Sequence, residues 1–280
     1  KHLILACGHS ARDVFELLKE HDVALAQKTF AMGVRIEHPQ RDIDRAQYAP
    51  SAGHPALGAA PYKLVAHLPN GRSVFSFCMC PGGFIVPAMT DAAQSVVNGM
   101  SPSGRNSVFA NSGIVTEIRQ VDFAHLTGQY GALAGLRFQQ QLEELAYAQV
   151  EDHQVAPGQR LADFVRGKAS KSLPRCSYVP GVVPTEAHRW LPGFISDALR
   201  GGFAAFDRKM HGFVTNEALI VGVESRTSSP VRVPRDPDTL MHPQIRGLFP
   251  AGEGAGYAGG IISAAMDGER CAERVADYVK

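Results

Sequence analysis

The chain has 280 residues, 45% hydrophobic and 20% charged, the composition of an ordinary soluble globular protein with one large domain or two modest ones. With 28 Lys and Arg against 27 Asp and Glu, the formal net charge of +1 argues against nucleic acid or a membrane surface as partner. No apolar run approaches the roughly 20 residues of a membrane-spanning helix, and no secretory signal is visible. We expect a cytoplasmic protein whose partner is a small molecule.

The cysteines indicate reduced thiols. They are five in number, and most lie far apart in the sequence, which does not suit a disulfide framework. Neither Cys-x-x-Cys nor the paired Cys/His spacing of zinc sites occurs, so we expect no structural metal. The positions are Cys7, Cys78, Cys80, Cys176 and Cys271.

The N-terminal stretch predicts a strand followed by a helix. Residues 2–8 are apolar enough for a buried strand of a parallel sheet, and the helix, with Ser10 as N-cap, runs to about Glu20. In α/β sheets, ligands bind where such strands end. Because chains rarely open directly with a core strand, we expect further sequence before Lys1.

The middle of the chain predicts a β-rich body followed by helices. Alternating or apolar runs predict strands, the Asn70-Gly71 pair predicts a hairpin turn, and helical spacing predicts helices, the last interrupted at Gly201-Gly202. The polar stretch up to Pro61 and residues 169–184 predict loops. The strands are expected at 29–37, 62–68, 73–78, 84–87, 112–117 and 219–224, and the helices at 133–151, 160–167 and 194–210.

The C-terminal segment passes from a short apolar run ending at Pro250 through a glycine-rich turn into a helix of small residues. Gly254, Gly256 and Gly259 match Gly-x-Gly-x-x-Gly, but that nucleotide fingerprint also needs a second parallel strand. The helix from Ile261 takes up nearly all the remaining sequence. We therefore expect a strand–turn–helix that closes a sheet begun elsewhere; the alternative is a glycine-rich turn that binds no ligand.

The order of these segments predicts an α/β fold with two parts. The two chain ends, residues 1–27 and 226–280, are expected to meet in a partial Rossmann-like sheet. Residues 28–225 are expected to form a long inserted domain of mixed β/α structure that covers the substrate.

Four stretches resemble one known family. His2–Asp13, Phe75–Gly83, Glu224–Pro230 and Phe249–Gly268 look like parts of bacterial FAD-dependent dehydrogenases of uncharacterised substrate, relatives of flavoproteins with two dinucleotide-binding domains. The resemblance runs across essentially the whole chain and implies an FAD-dependent oxidoreductase, with NAD(P)H as a candidate electron donor. In such proteins the FAD-binding Gly-x-Gly-x-x-Gly lies near the N-terminus, so this chain resembles their C-terminal portion.

The resemblance also implies residues that contact FAD. Glu253 would accept a hydrogen bond from a ribityl hydroxyl; the alternative is a solvated turn carboxylate. The helix beginning near Gly260-Ile261 would point its N–H groups and positive dipole end at the flavin pyrimidine edge. The implied cofactor-binding residues are Ala6, Cys7, Gly8, Gly252, Glu253, Gly259, Gly260 and Ile261.

Cys78 and Cys80 are the candidate catalytic residues. On a strand, residues i and i+2 share one face, and a thiol with a lowered pKa can act as an acid or redox partner; the alternative is two buried, inert cysteines. The candidate substrate-binding residues are Arg226, Ser228 and Arg105, since arginine suits bidentate carboxylate binding. For Arg226 the alternative is an inter-domain salt bridge.

Two functions from different classes stay open. The first is an FAD-dependent oxidoreductase that transfers a hydride through flavin N5. The second is a non-catalytic cap or substrate-binding module that does not hold flavin by itself. A flavin-linked RNA-modifying enzyme is disfavoured because the chain has no basic stripe. No residue pattern specifies the substrate.

Overall fold

The computed structural model describes residues 1–150 and 154–279. The strands are β1 Leu3–Leu5, β2 Ala26–Gln27, β3 Phe30–Pro39, β4 Val65–His67, β5 Ser73–Cys80, β6 Phe84–Pro87, β7 Val97–Met100, β8 Phe109–Ile118, β9 Ala156–Arg160, β10 Val182–Pro184, β11 Leu219–Glu224, β12 Val231–Arg232 and β13 Leu248–Pro250. The helices are α1 Arg12–Glu20, α2 Gln40–Tyr48, α3 Ala124–Tyr130, α4 Ala134–Tyr147, α5 Leu161–Arg166, α6 Ala187–Trp190, α7 Gly193–Lys209 and α8 Ile261–Val279. Short 3₁₀ turns lie at Ala49–Ser51, Gln120–Phe123 and Gly131–Leu133.

The chain divides into two compact units. Unit 1 comprises Lys1–Ala31, Ile118–Gln140 and Arg226–Lys280, and unit 2 comprises Met32–Glu117 and Gln141–Ser225. Residues 118–140 are predicted to belong to the inserted domain, but their contacts group them with the chain ends. The boundaries 1–27, 28–225 and 226–280 stay a prediction about domains.

Unit 2 is built on a mixed sheet of seven strands in the order β10-β9-β11-β3-β8-β5-β4. β9 and β10 are parallel, whereas β11 runs antiparallel to β3 and β9, and β5 runs antiparallel to β4 and β8. The predicted hairpin at Asn70-Gly71 is confirmed: β4 and β5 pair with Val65 opposite Phe75, and Gly71 has a φ of 76°. The protein is therefore a mixed α/β structure.

The long helix α7 packs on this sheet through a glycine. A Cβ at Gly202 would lie 2.5 Å from the side chain of Val74 in β5, so only glycine lets the backbone of α7 approach that side chain this closely. The predicted interruption at Gly201-Gly202 is wrong, because α7 continues through both glycines. Its apolar face supplies Phe203 and Phe206, which contact the ring of Phe213 in the core.

Unit 1 contains two small sheets. β1 and β13 are parallel, with Leu3 opposite Leu248, and β12 pairs antiparallel with β2. The chain ends thus meet in one sheet, while its Rossmann-like character stays a prediction. The predicted buried strand at 2–8 is wrong in extent and burial: β1 has 3 residues and Leu3 is 59% exposed. In the described part of the chain β1 pairs with β13 alone, which leaves its other edge open.

Other elements also differ from prediction. The polar stretch predicted as a loop contains α2, which buries Gln40 and Ile43, and segment 169–184 ends in the short strand β10. Ser10 is not the N-cap of α1: Ala11 holds that place, without a side-chain hydrogen bond. Tyr147 ends α4, and the last predicted residue of that helix, Glu151, lies outside the described residues. Among the described helices, none combines the length and apolar character that crossing a bilayer requires.

Candidate functional site

In unit 1, two loops follow the carboxyl ends of the parallel strands β1 and β13. Leu5 lies opposite Pro250, and the N–H of Ala251 donates to the carbonyl of Leu5 at 2.9 Å. Beyond the strands the loops touch through two glycines, because a Cβ at Gly254 would lie only 2.4 Å from the carbonyl oxygen of Gly8. The carboxyl ends of parallel strands are where α/β sheets bind ligands.

The turn after β13 is held by a buried carboxylate. Asp267 of α8 accepts the N–H of Gly252 at 2.8 Å, and Arg235 donates to the same carboxylate at 3.0 Å. Burial alone would raise the pKa of Asp267, but the hydrogen bonds from Arg235 and Gly252 outweigh it and lower the pKa. Gly252 has a φ of 74°, a left-handed conformation that favours glycine. The ion pair therefore fixes the backbone of this turn.

The beginning of α8 is open. A Cβ at Gly259 or Gly260 would meet no atom within 4 Å, and the side chain of Ile261 is 88% exposed. The first N–H groups of an α-helix have no intrahelical acceptor, and the positive end of the helix dipole lies there. This end of α8 can therefore approach an electron-rich planar group closely.

Glu253, in the loop after β13, lies beside a histidine of the loop after β1. Its Oε2 atom is 3.4 Å from Nε2 of His9, and the Glu253 side chain is 25% exposed. A partly exposed carboxylate can accept hydrogen bonds from hydroxyl groups of a ligand. The structure thus brings Ala6–Gly8 and Gly252–Glu253 together, and α8 begins a few residues after that turn.

Unit 2 contains a second cluster, centred on the fully buried guanidinium of Arg35. It donates to Glu224 Oε2 at 3.0 Å, to Asn111 Oδ1 at 3.1 Å and to the carbonyl of Cys78 at 2.8 Å. A further, longer hydrogen bond of 3.4 Å joins it to Asn98 Oδ1. One cation therefore serves four acceptors, of which only Glu224 is ionisable.

Two glycines make room for this cluster. A Cβ at Gly99 would lie 2.0 Å from Asn111 Oδ1 and 2.8 Å from the Arg35 guanidinium carbon. A Cβ at Gly113 would lie 3.0 Å from the Glu224 side chain. Both approaches are closer than ordinary van der Waals contact, so the cluster fills its space completely.

Cys78 and Cys80 are adjacent to Arg35 but do not share one strand face. A β-bulge in β5 lies between Phe77 and Cys80, and Cys78 has a φ of 47°. Cys78 is consequently exposed, whereas Cys80 is 6% exposed. The expectation from i, i+2 spacing is therefore wrong here, because the extra residue of the bulge breaks the alternation.

Burial and charge shift the pKa values of this cluster in opposite directions. Burial raises the pKa of Glu224 to about 7 in spite of Arg35. The hydrogen bond from Cys80 and the charge of Arg35 lower the pKa of the Cys78 thiol to about 6. The hydrogen bond with Cys78 and burial both raise the pKa of Cys80. Near neutral pH the cluster therefore favours a thiolate at Cys78 beside a thiol at Cys80.

The three predicted substrate-binding residues do not all belong to the same unit. Arg226 is buried and Ser228 half-buried in unit 1, whereas Arg105 is exposed in unit 2. The hydroxyl groups around Ser228 bind backbone: Thr227 donates to the Ala31 carbonyl at 2.6 Å. The substrate-binding roles of these three residues stay predictions.

Sequence reasoning missed Arg35, Glu224, Asn111 and the Arg235–Asp267 pair. The available signal was a charged residue within an apolar strand pattern, as at Arg35 in β3, since arginine is rarely buried unless paired. In the described residues, no group of three or more His, Cys, Asp or Glu side chains is arranged to hold a metal ion.

The family described as FAD-dependent protein, C-terminal domain-like, matches residues 29–227. The chain belongs to this family. An uncharacterized protein of Clostridium beijerinckii is 41% identical over 276 residues, covering 98% of this chain and 51% of the relative. The chain thus spans about half the length of the curated relative it matches. Family membership indicates a flavoprotein-related role.

Proposed function

We propose that this chain forms part of an FAD-dependent oxidoreductase and contributes the loops at β1 and β13 to its flavin site. FAD, when bound, accepts or donates a hydride at flavin N5. The observation that carries the proposal is the convergence of two glycine-containing loops and the open start of α8, in a chain of an FAD-dependent family. The substrate is a small molecule of unspecified class.

The residues of unit 1 fit this role chemically. Glu253 is exposed enough to accept a hydrogen bond from a ribityl hydroxyl, and its carboxylate also lies beside His9. Gly259 and Gly260 leave open space, so a flat ring could reach the first N–H groups of α8. The positive helix end favours negative charge on such a ring. Ala6, Cys7 and Gly8 would line the opposite loop, and Ile261 would offer an apolar surface.

Asp267 and Arg235 would position rather than contact the ligand. Asp267 holds the N–H of Gly252, so the turn that carries Glu253 has one backbone conformation. Arg235 in turn lies 3.8 Å from the centre of the Tyr257 ring and donates to Asp267. A preordered turn reduces the conformational entropy lost when a ligand binds.

A second candidate is a cap or substrate-binding module without flavin chemistry of its own. It is favoured by the extent of the family match, since residues 29–227 exclude both Gly8 and Glu253. NAD(P)H forms no part of either proposal, because neither the family nor the relative is described by that cofactor.

The test is an absorbance spectrum from about 300 to 550 nm, since the flavin's own colour reports its binding. Spectra are taken of the purified chain before and after FAD is added, with the full-length Clostridium beijerinckii relative alongside. Flavin bound to the chain supports the proposed site. Flavin bound to the relative alone supports a flavoprotein in which this chain holds no flavin by itself. If neither protein binds flavin, the proposal fails and the cap module replaces it.

A matched pair of variants tests Glu253. The FAD titration of this chain is repeated with both variants. Glu253→Gln should weaken the affinity for FAD by about tenfold or more, because a hydrogen bond to a charged acceptor contributes roughly 1.5–3 kcal/mol. Glu269→Gln, an exposed position on α8, should leave the affinity unchanged. Equal affinities for the two variants would remove Glu253 from the site.

A further inference from the structure

Two thiols in unit 2 lie side by side in different surroundings. The bulge in β5 exposes Cys78, while Cys80 stays buried and its Sγ donates to the carbonyl of Cys78 at 3.3 Å. The sulfur of Cys78 is therefore accessible to a molecule from solution, whereas the sulfur of Cys80 is protected from it.

Arg35 organises the same point of the chain. Its guanidinium is fully buried and donates to the Cys78 carbonyl at 2.8 Å. This hydrogen bond stabilises the backbone of the bulge. Its charge is also close enough to stabilise a Cys78 thiolate. Asn111 lies in this cluster as well, and its buried amide nitrogen has no hydrogen-bond partner among the described residues. The Arg35 cluster therefore holds the backbone at Cys78 and places a positive charge beside its thiol.

We propose that Cys78 and Cys80 form a thiol–disulfide exchange centre whose substrate is a low-molecular-weight disulfide. Cys78 is the attacking thiolate and Cys80 the resolving thiol. The proposal does not rest on flavin binding, since every group it uses lies in unit 2.

The exchange takes place in two steps. The Cys78 thiolate attacks one sulfur of the disulfide, a Cys78–S bond forms, the S–S bond of the substrate breaks and one thiolate leaves. Cys80 then gives its proton to that thiolate and attacks the Cys78 sulfur. The Cys78–Cys80 bond forms and the second substrate thiolate leaves, taking a proton from water. The dithiol is oxidised by two electrons, and the substrate is reduced to two thiols.

The ionisable groups around Cys78 support this order of attack. Cys80 and Arg35 lower the pKa of Cys78 to about 6, whereas the neighbouring Glu224, whose pKa burial raises to about 7, opposes the thiolate when it is ionised. Burial raises the pKa of Tyr62, which therefore stays neutral near Cys80. At neutral pH the exposed sulfur is the nucleophile and the buried sulfur keeps its proton.

Cys7 is a matched internal control: its side chain is accessible to solvent in unit 1, but partial desolvation by the surrounding atoms raises its pKa. The reduced protein is treated with the aromatic disulfide 5,5′-dithiobis(2-nitrobenzoic acid), and peptides are mapped by mass. At pH 6.5 Cys78 should react about tenfold or more faster than Cys7, because thiolate fraction outweighs the lower nucleophilicity of a low-pKa thiol. The rate at Cys78 should be half-maximal near pH 6, with that at Cys7 still rising at pH 8.

The products distinguish exchange from simple labelling. The wild-type peptide should end with a Cys78–Cys80 disulfide and no aryl group, Cys80→Ser should retain the aryl group on Cys78, and Cys78→Ser should lose the fast reaction. Cys176→Ser should behave like the wild type. An aryl group retained by the wild-type peptide, or equal rates at Cys78 and Cys7, would overturn the proposal. The wild-type pH profile and product do not depend on the folding of any variant.

Discussion

Each compact unit contains an arginine–carboxylate pair with little solvent exposure, and the two pairs hold charge differently. In unit 1 both terminal nitrogens of Arg235 donate to Asp267, and the Gly252 N–H adds a third donor. In unit 2 Arg35 divides its donors among several acceptors, and Glu224 receives one of them. The pKa of Asp267 is lowered, whereas that of Glu224 is raised to about 7. At Glu224 burial outweighs the one donor from Arg35, whereas at Asp267 the three donors outweigh burial.

The two regions differ in space as well. Gly99 of unit 2 lies so close to its neighbours that a Cβ would be 2.0 Å from Asn111, whereas Gly259 of unit 1 faces open space. A filled polar cluster fixes the charges of its own groups. An open glycine-lined loop is suited to a group that comes from outside. The Arg35 cluster is therefore shaped by close packing, whereas the start of α8 leaves space next to its backbone.

The largest expected effect comes from removing the shared cation of unit 2. Arg35→Met should cost about 3–5 kcal/mol of unfolding free energy, because it leaves Glu224 buried without a cation. Urea unfolding followed by Trp190 fluorescence measures it, since Trp190 is the only tryptophan and lies in unit 2. The loss should be greater at pH 8 than at pH 6, where Glu224 is mostly protonated.

Two further variants sharpen that result. Arg45→Met, at a side chain 74% exposed, should change stability by less than about 0.5 kcal/mol. Adding Glu224→Leu to Arg35→Met should recover part of the loss, because the unpaired charge is then gone. If Arg35→Met and Arg45→Met unfold alike, Arg35 does not stabilise Glu224.

Asp267→Asn should have the next largest effect, roughly 1.5–3 kcal/mol within unit 1 at neutral pH, because it removes a charged acceptor. A carboxyl whose folded pKa is lowered contributes stability above its unfolded pKa of about 3.9 and loses it as pH falls further. Hydrogen exchange of residues 248–256 should therefore show the variant and the wild type converging below about pH 4. Asp277→Asn, at a side chain 57% exposed, is the control, and a constant difference down to pH 3 would contradict this assignment.

A smaller loss, about 1–3 kcal/mol, is expected from Gly99→Ala, since the added methyl overpacks the Arg35 cluster. Trp190 fluorescence again reports the unfolding of unit 2. Gly193→Ala, at the first residue of α7 in unit 2, is the matched control, because nothing lies within 4 Å of its added methyl; it should change stability by less than about 0.5 kcal/mol. If Gly99→Ala lowers the unfolding free energy no more than the control variant does, the cluster relaxes around the added methyl group.

The smallest effect on stability, less than about 0.5 kcal/mol, is expected from Gly259→Ala, because its added methyl enters open space. The same methyl would stand where a flat ring should approach, so FAD affinity should fall by about tenfold. Hydrogen exchange of α8 gives the stability, and the visible absorbance titration gives the affinity. Unchanged affinity would place the ring elsewhere.

Local patterns predicted most of the elements of this protein. Alternation in 29–37 gave β3, the Asn-Gly pair gave the β4–β5 hairpin, and helical spacing in 194–210 gave α7. These features depend on neighbours in sequence, so propensity and periodicity suffice. The helix α2 was missed because its apolar face is narrow, with Ile43 as its buried aliphatic residue.

The candidate site divides in the same way. Resemblance and glycine content pointed to Gly8 and Glu253, but only the folded chain shows that Gly254 and Gly8 touch. The thiol pair was visible as Cys78 and Cys80, while the bulge that exposes one and buries the other was not. A bulge depends on the register between β5 and β8, which no single strand sequence contains.

By itself the sequence determined the mixed α/β class, most of the strands and helices, and the candidate loops near each chain end, because these follow from short-range patterns. Tertiary structure alone decided which charges are buried together. Arg35 and Glu224 are 189 residues apart along the chain, and their ion pair exists only because β3 and β11 are neighbours in one sheet. Charge states set by burial belong to packing, since desolvation depends on every element that surrounds a group.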